Sequence, residues 1–97
     1  MARFAVEFSY SADTETRHAA RPRHRDYLAA LAERGALLAA GPWADDTGAL
    51  LVYEVPDEAA LREVLTADPY TPAGVITRTR IREWTPVLGA WLGTSGG

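Results

Sequence analysis

The chain has no cysteine, no lysine and only two histidines among its 97 residues. Without cysteine, disulfides, thiolate metal sites and a cysteine nucleophile are excluded. His18 and His24 are too few for a histidine-built metal cage, although carboxylates could complete one, and we predict neither a metal nor a cofactor. A small chain with neither disulfides nor a signal segment is expected to be cytoplasmic.

Long apolar runs are also missing, which argues against a membrane-spanning segment. The net charge is −3, and all ten cations are arginines interleaved with 13 acidic residues. That balance argues against nucleic-acid binding, which requires a local basic surface. With 47% apolar residues and no repeat, we expect one small domain over residues 1–87, followed by a tail at 88–97. Within the tail, residues 93–97 are predicted to be frayed.

Hydrophobic periodicity predicts six elements. Phe4, Val6, Phe8 and Tyr10 alternate with polar residues and predict a first strand. After a loop at 11–20, the pattern predicts a helix from Pro22 to about Arg34 that is closed by Gly35, strands at 36–40 and 50–55, a helix capped by Asp57, and a strand at 75–84. The order βαββαβ predicts a ferredoxin-like α+β fold with an antiparallel sheet.

The first predicted helix carries an unusual concentration of arginine at its start. Pro22 suits the first helical position, and His24 shares a stripe with Leu28 and Leu31. Four arginines there, Arg17, Arg21, Arg23 and Arg25, have the wrong sign for the positive end of a helix dipole, so a bound anion would relieve the conflict. We therefore predict that an anionic group binds at this end of the helix.

The predicted topology brings three separated segments to one end of the sheet: His24, the turn Gly41-Pro42-Trp43, and Asp68 with Tyr70. A carboxylate bonded to one imidazole nitrogen fixes the tautomer and leaves the other nitrogen free to accept a proton. His24 and Asp68 are therefore predicted to be catalytic. The remaining residues of these segments are predicted to line the substrate site, with Pro42 and Trp43 forming an apolar wall.

Each of these residues also has a purely structural interpretation. His24 could be a satisfied core histidine, and Asp68 could simply end a helix by bonding nearby backbone amides. Tyr70 could donate to substrate or cover the core, and Trp43 could be a dimer contact. Arg23 and Arg25 are expected to face solvent.

The sheet face away from the helices is predicted to be partly apolar. Glu7 could pair there with Arg78 or Arg80, and either Leu50 and Val52 or Leu51 and Val55 must share that face. Such a face invites packing against a second sheet, so we predict a homodimer through the sheet faces.

Four motifs in order resemble the YCII (YciI-like) family of the dimeric ferredoxin-like barrel superfamily. They are Arg17 with Arg21-Pro22-x-His24, residues 37–42 (LLAAGP), residues 67–70 (ADPY) followed by 73–75 (AGV), and residues 81–84 (IREW). The resemblance covers about residues 2–87 and implies a dimeric α+β barrel with a pocket centred on His24 and Asp68. Arg17 and Arg21 also fit the family pattern, and we predict that they hold the anionic group of a substrate. The loop from Trp43 to Gly48 is shorter than in many members.

Some members of the family remove chloride from chlorinated hydroxyhydroquinones, and distant relatives isomerise lactones or act on aromatic rings. The expected function is proton transfer on a small anionic or phenolic substrate, as in a lyase, isomerase or dehydrochlorinase. A non-catalytic ligand-binding or accessory domain using the same pocket is the alternative.

Overall fold

The computed structural model describes residues 1–91 and contains the six expected elements in the expected order. They are β1 (Ala2–Tyr10), α1 (Thr14–Glu33), β2 (Leu37–Pro42), β3 (Gly48–Val55), α2 (Glu58–Ala67) and β4 (Ile76–Glu83). The four strands form one sheet in the order β2-β3-β1-β4, with every pair antiparallel. The ferredoxin-like α+β fold predicted from the sequence is confirmed.

One face of the sheet packs against the two helices and forms the core. Phe4, Val6 and Phe8 are almost fully buried and lie opposite Tyr53, Leu51 and Ala49 of β3. Leu31 of α1 and Leu61 of α2 close the same cluster from above. The alternation of β1 therefore identified the buried face of the sheet correctly.

The other face carries a mixture of apolar and charged side chains. Ala5 pairs with Val52 and Glu7 with Leu50, so this face holds Leu50 and Val52 rather than Leu51 and Val55. Arg80 lies opposite Glu7, with Nη1 and Oε2 3.8 Å apart. In the described part of the chain, neither helix packs on this open face.

Helix α1 begins eight residues earlier than Pro22, so the predicted start was wrong. Asp13 caps the helix: its carboxylate accepts from the Thr16 amide at 3.0 Å and from the Thr16 hydroxyl at 2.6 Å. Pro22 lies inside the helix on its exposed side, although an interior proline typically costs about 3 kcal/mol. The Asp13 cap and an inner stripe that continues across the proline outweigh that cost, so Arg17 and Arg21 do not surround a helix N-terminus.

The other helix ends follow the sequence signals. Gly35 adopts a left-handed conformation (φ 79°) directly after α1. Its amide donates to Ala32, and the Ala36 amide donates to Leu31, which is the Schellman pattern. Asp57 caps α2 by accepting from the Ala60 amide at 2.8 Å. Gly35 and Asp57 thus have the roles predicted for them.

The segment after β4 borders the open face of the sheet. Trp84 and residues 88–91 line an apolar groove together with Leu38 and Val52. Leu38, Trp84 and Trp91 remain 48%, 47% and 90% exposed. The predicted frayed tail, residues 93–97, lies outside the described residues. No helix within residues 1–91 has the length and apolarity needed to span a bilayer.

Gly48 is a position where the fold leaves no room for a side chain. A Cβ there would overlap the backbone carbonyl of Phe8, whereas a Cβ at Gly41 meets nothing within 4 Å. We expect Gly48→Ala to destabilise the fold by about 1–3 kcal/mol, because two paired strands must separate. Gly41→Ala is the matched control and should change stability far less. Urea unfolding of both variants measures this, and equal effects would contradict it.

Candidate active site

A direct hydrogen bond joins His24 of α1 to Asp68 at the end of α2. Nδ1 of the imidazole and Oδ1 of the carboxylate are 2.7 Å apart, within the hydrogen-bonding reach expected from the sequence. His24 lies on the inner side of α1 with Arg17, Ala20 and Leu31. The packing of the two helices thus brings together two side chains that are 44 residues apart in sequence.

Asp68 is fully buried and is held in place by the turn that follows α2. Its Oδ1 also accepts from the Tyr70 amide at 2.9 Å. The backbone-bonding role considered for an Asp-Pro helix stop is therefore present together with the imidazole contact. A buried carboxylate must be hydrogen-bonded to remain ionised at low cost, and these two donors contribute to that requirement.

Aromatic rings enclose the imidazole on one side. The Tyr70 ring stacks on His24 with centroids 3.7 Å apart and planes 6° from parallel. Tyr10 meets Tyr70 edge-on with centroids 6.0 Å apart. Burial, followed by the neighbouring Tyr70, raises the pKa of Tyr10 despite the opposing charge of Arg17. Tyr10 therefore remains a protonated phenol at neutral pH.

A cavity of about 190 Å³ opens beside this histidine. Its lining residues are Tyr10, Arg17, Arg21, His24, Arg25, Leu28, Ala40, Gly41, Pro42, Asp46, Ala49, Leu51 and Tyr70. Since Nδ1 is engaged by Asp68, Nε2 is the imidazole nitrogen that remains for a molecule in the cavity. Asp68 itself lies behind His24 and is not part of the lining.

Arg17 is buried in the cavity wall and already has a carboxylate partner. Nη2 forms an ion pair with Oδ2 of Asp46 at 2.5 Å, and Nη1 donates to the Asp46 carbonyl at 3.1 Å. The guanidinium carbon lies 4.6 Å from the centre of the Tyr10 ring, in cation–π range. Arg17 therefore ties α1 to the β2–β3 hairpin in addition to lining the cavity.

Arg21 and Arg25 follow Arg17 at four-residue intervals, which places all three on one side of α1. Both line the cavity, Arg21 partly buried and Arg25 exposed. Neither forms a side-chain ion pair with any acid in residues 1–91. Arg25 is exposed, as expected, and it also borders the cavity, which was not expected.

The turn after β2 is only partly in the predicted place. Gly41 and Pro42 line the cavity, but Trp43 does not, and it is 41% exposed. Trp43 follows the last residue of β2, and its amide still donates across the hairpin to the Gly48 carbonyl at 2.9 Å. The prediction of Trp43 as a cavity wall was wrong.

Seven lining residues were missed from the sequence, and two of them, Tyr10 and Asp46, contact Arg17. Tyr10 ends β1 at the same end of the sheet as His24, and that topological signal was available. Asp46 adopts a left-handed conformation (φ 61°) in the hairpin, and its contact with Arg17 depends on tertiary packing. Across the described residues, no group of three or more metal-binding side chains comes together.

Comparison with known protein families assigns nearly the whole chain to one domain family. A family model for the YCII-related domain matches residues 2–85. The chain belongs to the YCII-related domain family. The resemblance read from the four sequence motifs is thus confirmed. None of the curated proteins matches the chain significantly.

Solved structures with the same fold include enzymes. A 5-chloro-2-hydroxyhydroquinone dehydrochlorinase from Burkholderia phenoliruptrix AC1100, in complex with 2,5-dihydroxybenzoquinone, is 22% identical with a TM-score of 0.75, over 86% of this chain and 93% of that one. An antibiotic biosynthesis monooxygenase is 16% identical with a TM-score of 0.60, over 90% and 99%. Rv0793 from Mycobacterium tuberculosis is 15% identical with a TM-score of 0.57, over 92% and 97%. At these identities the likeness establishes the fold.

The ion pair between Arg17 and Asp46 gives a prediction about stability. Asp46→Asn keeps a residue that tolerates the left-handed backbone, but removes the charge that balances a buried guanidinium. We expect a loss of about 1 kcal/mol, since the Asp46 side chain is 53% exposed and the amide can still accept a hydrogen bond.

Asp45→Asn is the matched control for that measurement. The Asp45 carboxylate bonds only Thr47 of its own turn, and these bonds lower its pKa. Its replacement should leave the urea midpoint close to that of the unsubstituted protein. Equal loss in the two variants would show that hairpin geometry, rather than the Arg17 ion pair, is responsible.

Proposed function

We propose that this protein is a small cofactor-independent enzyme in which His24, oriented by Asp68, transfers a proton on a small anionic or phenolic substrate. The observation that carries the proposal is the buried 2.7 Å contact between Nδ1 and Oδ1 at the wall of a cavity. An aspartate on Nδ1 favours the tautomer with its proton on that nitrogen, so the lone pair of Nε2 is available.

In the proposed reaction, Nε2 takes the proton of a phenolic hydroxyl or an activated C–H bond. The bonding electron pair stays on the substrate as a phenolate or carbanion, and Asp68 stabilises the imidazolium. Arg21 and Arg25 are placed to offset the negative charge that develops. In an elimination that electron pair expels the leaving group, and in an isomerisation the proton returns at another atom. Both outcomes use the same base.

The size and lining of the cavity support a small ligand. A volume of about 190 Å³ lies below the range of about 300–1,000 Å³ typical for drug-sized molecules. Two tyrosine rings and the apolar Leu28 suit a flat molecule of about one ring, and the arginines suit an anionic substituent. The dehydrochlorinase of the same fold was solved with a small quinone, which supports a ligand of this class.

Variants of two arginines and the histidine test the proposal. Salicylate and other small carboxylates and phenols are screened by thermal shift, and affinity is then measured by calorimetry. Arg21→Ala should weaken the binding of a small carboxylate ligand by about 1–3 kcal/mol, the range for the loss of a charged hydrogen bond. Arg23→Ala is the matched control, because Arg23 is exposed on α1 and does not line the cavity.

His24→Ala should abolish turnover of any substrate found in that screen while largely preserving binding. If His24→Ala binds and turns over the substrate normally, His24 is not the base. Binding by the unsubstituted protein without turnover of any screened compound would favour the alternative, a ligand-binding or accessory domain. If Arg21→Ala instead unfolds the protein, the arginine is structural and the electrostatic part of the proposal fails.

We also propose that two copies pair through their open sheet faces. Val52 on that face is only 8% exposed, whereas Leu38 beside it is 48% exposed. The groove that both residues line is mainly apolar, and it extends along Trp84 and the segment to Trp91. A second copy would remove this apolar surface from water, which is the main driving force of association.

Sedimentation of Leu38→Glu tests the pairing. The unsubstituted protein should sediment as a dimer at tens of micromolar, and the new carboxylate should favour monomers because it would be buried unpaired. Ala29→Glu, on the exposed side of α1, introduces the same charge away from the sheet and should remain dimeric. A monomeric unsubstituted protein would refute the pairing.

A further inference from the structure

The second oxygen of the Asp68 carboxylate has no hydrogen-bond partner. Oδ1 receives both the His24 imidazole and the Tyr70 amide, while Oδ2 is buried with no donor among the described residues. An unsatisfied oxygen on a fully buried carboxylate is costly, because its desolvation is not compensated. The geometry thus calls for a donor on the inner side of Asp68, away from the cavity.

The Tyr53 hydroxyl lacks a partner in the same way. The residue is fully buried on the helix side of β3, and its OH meets no acceptor among the described residues. Tyr53 lies between Phe4 of β1 and Leu37 of β2, so its ring rises from the centre of the sheet into the core. A buried phenol normally finds an acceptor for its proton.

The packing brings these two unsatisfied groups into one region of the core. Asp68 is the C-cap of α2, and α2 packs against β3, which carries Tyr53. Burial is the main cause of the raised pKa of Tyr53, and the negative charge of Asp68 is the second. The nearby Tyr27 is not an alternative donor, because its hydroxyl already donates to the Val64 carbonyl at 2.7 Å.

We propose that Tyr53 is a positioning residue of the His24–Asp68 site, its hydroxyl donating to one enclosed water that in turn donates to Oδ2 of Asp68. The bridging water gives the carboxylate the donor that it lacks and gives the phenol the acceptor that it lacks. With Oδ2 held from the sheet and Oδ1 held by the Tyr70 amide, the carboxylate cannot rotate away from the imidazole. The proposal deepens the proposed function and rests on it.

The melting temperature of Tyr53→Phe tests this pairing, because a paired and an unpaired hydroxyl predict shifts of opposite sign. If the hydroxyl is bridged to Asp68, its removal should lower Tm by about 4 °C or more, since the enclosed water loses its donor beside a buried charge in a chain of this size. If the hydroxyl is unpaired, its removal relieves a buried polar group and Tm should rise or stay unchanged. The second result overturns the proposal.

A double-mutant cycle and a matched control assign the effect to Asp68. In an Asp68→Asn background, Tyr53→Phe should cost clearly less than in the unsubstituted protein, because the charged acceptor is gone. Tyr27→Phe removes the neighbouring hydroxyl, which bonds a carbonyl, and should cost the same in both backgrounds. Equal cost of Tyr53→Phe in both backgrounds would refute the coupling.

The ring nitrogens of His24 provide a readout that a purely structural hydroxyl would not change. ¹⁵N shifts report which imidazole nitrogen carries the proton, and Tyr53→Phe should shift the population away from the Nδ1–H tautomer, whereas Tyr27→Phe should not. This measurement needs neither a substrate nor the Asp68 variant. The positioning role of Tyr53 can therefore be refuted while the proposed reaction stands. It can also be confirmed for a pocket that only binds ligands. Unchanged His24 shifts in Tyr53→Phe would overturn the positioning role.

Discussion

A carboxylate withdrawn completely from water must be hydrogen-bonded, and the site is organised around that requirement at Asp68. The cost of burying an unpaired charge is several kcal/mol, comparable with the stability of a small domain. The His24 imidazole and the Tyr70 amide both serve Oδ1. The same two residues are stacked on each other, so one bonded oxygen fixes both the orientation of the imidazole and the ring that covers it.

The strands and the ends of two elements were predictable because their signals are local. Alternation along β1 identifies a half-buried strand. Gly35 readily adopts the left-handed conformation that ends α1, and the Asp57 side chain caps α2. The start of α1 was misplaced because Pro22 is favoured at a helix start but also tolerated on an exposed side of the interior. The Asp13 cap, together with the stripe of Arg17, Ala20 and His24, was the stronger signal.

The site was predictable to the extent that topology alone places residues. In a βαββαβ chain the inner side of α1 and the end of α2 meet at one end of the sheet, which brings His24 to Asp68. The ion pair of Arg17 with Asp46 was not predictable, since it depends on the conformation of a hairpin residue with positive φ. Trp43 was misplaced for a related reason, because the direction of the chain after Pro42 is set by that hairpin.

The contacts that build the cavity join residues far apart in sequence: 29 positions for Arg17 and Asp46, and 44 for His24 and Asp68. Closing such loops costs chain entropy, so each contact requires that the elements carrying both of its residues are in their native places. A partly folded chain would possess the helices but not the cavity. Occupancy of the cavity is therefore a measure of the whole native topology.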